Sequence, residues 1–503
     1  MTPLEQGMMV AIAVTVLSPL LGIASLRLIG ERVHPRLPVV VATLLSFSAT
    51  IVLAVLWQSH DERPLTLGPR LAGGSLVVID GLTTVLLPYA TLIDLAIVLA
   101  APTRAMAAPR MRRMLAAAAA TFATVCTAHP AALVLLWIAT ARFTWRAVRG
   151  QPGCLPVARL FGRVMTVAAA CFALGTTLLV ADPPWEPASG WVGAVGGWLV
   201  ALAVMMRKGI VPFHSWYPAL YRHVPVGTAL AFTMPQVGTY TAVRLLVGHA
   251  DGVGMDLVVL AHAALVTAAY GAALAMIQRD VRGLLGTIAM SQTAMVLAGL
   301  SGTVPMELTG ALAVWISSGL ALTGMGLVVW SLESRGGPIA LDTLQGRYAD
   351  APALATFLLL FGLASLGFPG TLSFVADDLI VSGSLDDQLH VGLLVIAATA
   401  CGGIAVVRGW FLVFGGPILP DAPRHVMLPR ERAPLLVLLV MLIVLGLYPG
   451  PLVTSLESVA GSLLSSRGTE DGRPAVTDEH DTDHHIPPNE ASQHPRTKDL
   501  SDE

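Results

Sequence analysis

Apolar runs of about twenty residues recur along nearly the whole chain, and this recurrence constrains the fold more than any motif does. A helix of that length crosses the ~30 Å hydrocarbon layer of a bilayer, where each backbone N–H and C=O must find its partner within the segment. Fourteen spans are predicted, at about 8–28, 37–58, 80–100, 113–128, 131–148, 160–181, 190–208, 227–247, 256–277, 281–300, 307–331, 352–372, 390–414 and 433–448. Composition agrees: 55% of the 503 residues are hydrophobic and 12% are charged, against about 25% charged in a soluble domain. The expected fold class is an all-α polytopic membrane protein. The first apolar stretch lacks a small-residue cleavage site and reads as a retained helix.

Charge placement sets the orientation. With these spans, alternate loops share one side, and most of the 30 Lys and Arg residues fall on one of the two, among them Arg110, Arg112, Arg113, Arg142, Arg146, Arg149, Arg430 and Arg432. The other side has Arg63, Arg70 and Arg244, with Asp182, Glu186, Asp251, Asp256, Asp386 and Asp387. The positive-inside rule then puts the Arg-rich loops in the cytoplasm and both termini outside, in a bacterial inner membrane. Arg142 and Arg146, four apart on one helix face, read as a lipid-headgroup or partner surface.

Several functions are excluded by what the chain lacks. Cys126, Cys154, Cys171 and Cys401 have no metal or cluster spacing, and no Walker loop, dinucleotide fingerprint or HExxH occurs. No cofactor, metal, catalytic centre or nucleic-acid partner is expected, so any transport draws on an ion gradient or on a partner. From about residue 465 the chain turns acidic, His-rich and Pro-rich, a composition that predicts disorder; His480, His484 and His485 could hold a metal only loosely.

Two interruptions break the apolar pattern. In MMRKGIVPFHSWYP, residues 205–218, Arg207 and Lys208 precede Gly209, Pro212 and His214. In GLASLGFPGTLSFVADDLIV, residues 362–381, Pro369 and Gly370 precede Asp377 and Asp378. Pro lacks an N–H and clashes with the preceding turn, and charges at a broken membrane helix line polar cavities or transport paths. Paired interruptions in two halves of a chain point to inverted repeats with the path between them. The competing reading of Asp377 is an acid favoured by a helix start.

These segments resemble those of the antiporter-like subunits of respiratory complex I and the Mrp-type cation/proton antiporters. RKGIVPFHSWYP followed by QVGTY at 236–240, AMIQRDVRGLLGTIAMSQTAMVLAGL with Gln278, Asp280 and Arg282, LASLGFPGTLSFVADDLI, and Asp80-Gly81-Leu82 carry the resemblance over about residues 80–415. It implies two inverted five-helix repeats, each with a broken helix: residues 113–247 and 256–414, after N-terminal helices at 1–112 and before a C-terminal helix region at 433–464 and the tail at 465–503. It also implies a midplane chain of ionisable groups, other membrane subunits as partners, and the lipid bilayer as surroundings.

Carried over residue by residue, the family's seventh-helix lysine falls on Arg207 with a lysine displaced to Lys208, its residue after the second break on Asp377, and its tenth-helix lysine on Arg282. Arg stays charged in practice, whereas Lys can exchange its proton. Ile138 stands where the family has a glutamate, Leu230 or Gln236 where it has Lys or His, and Ser318 where it has His. Asp94 and His262, both mid-span, and His214 are further candidates for a path from the cytoplasm past Arg207, Lys208 and His214, across by His262, and out near Asp377. Three readings stay open: an ion-translocating subunit of a complex I-, hydrogenase- or Mrp-type assembly; the membrane subunit of an inorganic-carbon uptake complex with a zinc-containing, carbonic-anhydrase-like cytoplasmic partner; and a non-conducting structural anchor.

Overall fold

The computed structural model describes residues 2–28, 34–60, 63–67, 75–182, 191–247, 257–384, 389–417 and 427–468. The acidic and His-rich tail lies outside the described residues from 469 onward, as do Arg70, Glu186, Asp251, Asp256, Asp386 and Asp387. Among the described residues the regular structure is helical apart from one short antiparallel strand pair, β1 (Leu65–Leu67) with β2 (Val77–Ile79).

Helices α1 (Pro3–Leu28) and α2 (Arg36–Gln58) form an N-terminal pair. Buried hydroxyls join them: Ser18 Oγ lies 2.5 Å from Ser46 Oγ, and Ser46 Oγ donates to the Thr15 carbonyl. In hydrocarbon, helices gain little from apolar burial, so small residues and hydroxyl bonds supply the adhesion. After the strand pair, Asp80 caps α3 (Gly81–Ala100) by accepting from the Thr83 N–H at 2.9 Å. Next come α4 (Ala108–Val125), α5 (Pro130–Arg149), α6 (Leu155–Ala181) and α7 (Trp191–Lys208), then the short α8 (Trp216–His223), α9 (Val226–Thr233) and α10 (Val237–Leu245). The second half holds α11 (Leu257–Met276), α12 (Val281–Gly299), α13 (Pro305–Gly336), α14 (Pro352–Ala364), α15 (Leu372–Ser384) and α16 (Leu389–Phe414). α17 (Pro429–Leu447) and α18 (Gly450–Gly468) follow, bent by 77° at their junction.

The packing centre is α13. Its most apolar window is entirely buried, with α3, α9, α12, α14, α15, α17 and α18 around it. By contrast α1, α2, α5 and α6 bury little more than a third of theirs, leaving Val41, Val52, Leu135 and Val167 for the lipid. Between α6 and α7 the backbones touch through glycine. A Cβ on Gly175 would stand 2.7 Å from the Gly196 carbonyl, and one on Gly196 would stand 2.9 Å from the Gly175 carbonyl. Gly175→Leu is expected to lower stability in detergent by at least about 1–3 kcal/mol, because a backbone neighbour cannot move aside; thermal unfolding of the purified chain measures it.

The helical membrane architecture is as expected, but the described helices do not reproduce the count of about fourteen spans. Among the described residues, ten helices are long and apolar enough to cross a membrane, or eleven with the bent pair α17–α18. The predicted span 227–247 is split into α9 and α10, because Pro235 cannot donate to a helical bond and Gln236 takes a left-handed conformation, φ 48°. The span 352–372 ends at Ala364, and α4 begins with Arg110, Arg112 and Arg113. Both predicted breaks are present, at 209–215 between α7 and α8 and at 365–371 between α14 and α15.

Candidate functional site

The first break is closed by its own hydrogen bonds. α7 ends at Lys208 because Gly209 turns left-handed, φ 70°, and a side chain there would meet the Tyr217 ring at 3.0 Å. Gly209 N–H donates to the Met206 carbonyl and Ile210 N–H to the Met205 carbonyl, the paired bonds of a glycine helix stop. Trp216 Nε1 donates to the Met206 carbonyl as well, and Val211 N–H donates to Thr267 Oγ1 on α11. Val211–Pro212 is cis. Arg207 and Lys208 therefore sit at the negative end of the α7 dipole, which favours cations.

Both side chains are buried, and no carboxylate pairs with either among the described residues. Arg207 turns toward α5: Nη1 donates to the Trp137 carbonyl at 3.2 Å and Nη2 to Thr140 Oγ1 at 2.8 Å. Its guanidinium lies 4.4 Å from the Trp137 ring and 4.9 Å from the Phe232 ring. Phe172 stacks on Trp137 at 4.3 Å. A planar cation between two aromatic faces is stabilised by their quadrupoles, so an aromatic clamp and two oxygen acceptors do here what an anion does elsewhere. Trp137→Leu is expected to lower stability by about 2 kcal/mol or more, read as a drop in melting temperature, since the contact is desolvated.

Lys208 turns the other way, toward the break between α9 and α10. Its Nζ donates to Gln236 Oε1, which also accepts from Thr239 Oγ1 at 3.1 Å; Gln236 Nε2 is buried without a partner. The left-handed backbone of Gln236 aims the amide at the lysine. A cavity of about 10 Å³ lies between them, lined by Arg207, Lys208, Tyr217, Gln236 and Thr293 among others, room for about one water. Buried hydroxyls stand around it: Thr293 Oγ1 donates to Tyr217 OH at 3.4 Å, and Tyr221 OH lies 2.7 Å from Thr233 Oγ1. Such hydroxyls can pass a proton by exchanging donors and acceptors.

The other sequence candidates lie elsewhere. His214 stands in the break with its ring edge-on to Tyr270 at 5.1 Å, its Nδ1 buried without a partner. His262 on α11 meets His390 on α16, Nε2 to Nε2 at 2.8 Å, near the start of both helices. Arg282 opens α12 and is held by Glu333 at 2.6 Å and by the Val224 carbonyl, within a network that includes Arg222–Asp280 and Arg335–Glu431. Asp377 on α15 packs against the second break, where a Cβ on Gly367 would meet its Oδ2 at 2.6 Å. Asp94 is buried on α3, with Oδ2 unpartnered. The structure thus joins Arg207, Lys208 and Gln236, and leaves Asp94, His262, Arg282 and Asp377 outside the lining of that cavity.

Sequence reasoning missed Thr140, Phe232 and Tyr217 as members of the site. Trp137 and Thr140 are three apart on one helix face, a spacing that signals shared contacts. Phe232 and Tyr217 had no such signal, since only the fold of the broken helices brings them near.

Residues 166–402 match the family described as NADH:quinone oxidoreductase/Mrp antiporter, TM. Among curated relatives, NADH-quinone oxidoreductase subunit M of Pseudomonas aeruginosa is 27% identical over 51% of this chain and 51% of its own length. NADH-quinone oxidoreductase subunit N of Alkalilimnicola ehrlichii is 28% identical over 55% of this chain and 58% of its own length. The chain thus spans about half the length of the curated relatives it matches. Chains of solved structures align over more of the fold. One from respiratory complex I of Thermus thermophilus has a TM-score of 0.80 at 19% identity, covering 90% of this chain and 99% of that one. One from the Mrp complex of Dietzia sp. DQ12-45-1b has a TM-score of 0.82 at 18% identity, covering 92% and 99%.

Proposed function

We propose, from the premise that this chain is a divergent member of the antiporter-like membrane subunit superfamily, that it moves protons through the membrane arm of a larger respiratory or Mrp-like complex. The observation that carries this reading is Lys208, a buried lysine at a helix break beside a water-sized cavity and several hydroxyls. Broken helices tolerate irregular backbone at membrane depth where it lines such a cavity. Lys208 is the exchanging group and Arg207 the fixed charge, because an arginine keeps its proton. Asp377 at the second break serves the other half of the path, and Arg282 anchors the cytoplasmic ends of the helices through Glu333.

The complex sits in a bacterial inner membrane with the Arg-rich loops in the cytoplasm. The relatives are named as subunits of quinone oxidoreductases, and the structural neighbours come from complex I and Mrp assemblies, which supports this reading over an inorganic-carbon uptake subunit. A structural anchor without conduction is the reading favoured by Ile138, Leu230 and Ser318, none of which titrates. Reconstitution in proteoliposomes with an internal pH dye separates the two. Dissipation of an imposed pH gradient by the wild-type chain, lost in the Lys208→Ala/Asp377→Ala double variant, is the expected result. Equal rates in the two proteins would leave the anchor reading.

A further inference from the structure

We propose that the crevice between α5 and α6 is a binding site for an anionic phospholipid of the cytoplasmic leaflet. It is a cavity of about 1080 Å³ whose two ends differ in chemistry. Its floor is apolar, with Ile138 42% and Val167 51% exposed into it. Its rim carries Arg142 and Arg149 from α5 and Arg159 and Arg163 from α6. An amphiphile with a negative head and apolar tails matches that order; a soluble anion would leave the floor unfilled.

The rim is built. Trp145 Nε1 donates to the Ala158 carbonyl at 3.1 Å, which fixes the indole between the two helices. The Arg142 and Arg149 guanidiniums lie 4.5 and 5.1 Å from that ring, so stacking holds them while their N–H forks stay available for phosphate oxygens. Between Asp94 and Asp182 the sequence has no Asp or Glu, and none of the four arginines has an ion pair among the described residues. Arg142 and Arg163 lie about 10–12 Å along their helices from the cytoplasmic ends, at 1.5 Å per residue. That is a depth at which long cationic side chains reach headgroups. The site stands whether or not the chain conducts ions.

The test uses the full chain, purified in mild detergent and assayed for bound phospholipid by extraction and mass spectrometry. Its melting temperature is then compared in phosphatidylcholine nanodiscs with and without phosphatidylglycerol. The wild-type chain is expected to retain phosphatidylglycerol selectively and to melt higher in its presence. Each Arg→Gln change on the rim should lower retention about fivefold, from about 1 kcal/mol per basic side chain at an anionic surface, and the quadruple variant should retain none. Ile138→Trp fills the floor with every arginine in place and is expected to lower retention too, which keeps the test valid if the quadruple variant fails to fold. The proposal is overturned by equal retention in wild-type and variant chains or by equal retention of phosphatidylcholine. It is also overturned by inorganic phosphate raising the melting temperature as much as phosphatidylglycerol does, or by a copurifying membrane subunit that cross-links to position 138.

Discussion

Lys208→Met is expected to leave the chain folded and to lower proton flux in proteoliposomes about 100-fold or more, the scale on which a positioned proton-exchanging side chain contributes. Methionine keeps the unbranched apolar stem as far as Cε, so packing against Gly238, where an added Cβ would lie 3.3 Å from Lys208 Cγ, survives. It removes the ammonium that donates to Gln236 Oε1. Lys208→Arg is the informative companion. It retains a charge and a donor for Gln236 but holds its proton, and flux is expected to fall as far as in the methionine variant. If the arginine variant conducts as well as the wild-type chain, the site requires a fixed charge and not an exchanging one.

Asp80→Ala is expected to destabilise the chain by about 3 kcal/mol, the lower end of the cost of stranding one partner of a buried ion pair, since this pair keeps some contact with solvent. Asp80 meets Arg244 through two bonds, of 2.5 and 3.0 Å, and caps α3. Arg244 also donates to Tyr240 OH and Thr83 Oγ1, so the pair ties the start of α3 to the end of α10. Combining Asp80→Leu with Arg244→Met removes both charges and is expected to recover most of the loss, since an apolar pair carries no desolvation cost. The pH dependence has a definite sign. Burial by itself would raise the Asp80 carboxyl, and Arg244 outweighs it, holding the group below the usual carboxylate range. A lowered value in the folded state stabilises fully above the unfolded value of about 4 and is lost as pH falls through the folded one. The melting temperature of the wild-type chain should therefore fall more steeply below about pH 4 than that of the double variant.

The sequence by itself determined the helical membrane architecture, the two interrupted helices and the nature of the groups at them. Apolar length, Gly and Pro placement and the Arg asymmetry are local properties that no packing can reverse. Lys208-Gly209 announced a helix stop, and Gly209 is left-handed there. Tertiary structure alone decided which way each cation turned. Adjacent residues on a helix point about 100° apart, so the neighbours of Arg207 and Lys208 come from different elements, α5 and the α9–α10 break. Gln236 became the acceptor for Lys208 only because Pro235 split a run that reads as one apolar span. Ile138, read as a missing acid, turned out to face the crevice between α5 and α6, while Trp137 beside it holds the arginine. A sequence records which residues are apolar, charged or unable to stay helical; which of them meet depends on distances closed by the packing of remote helices.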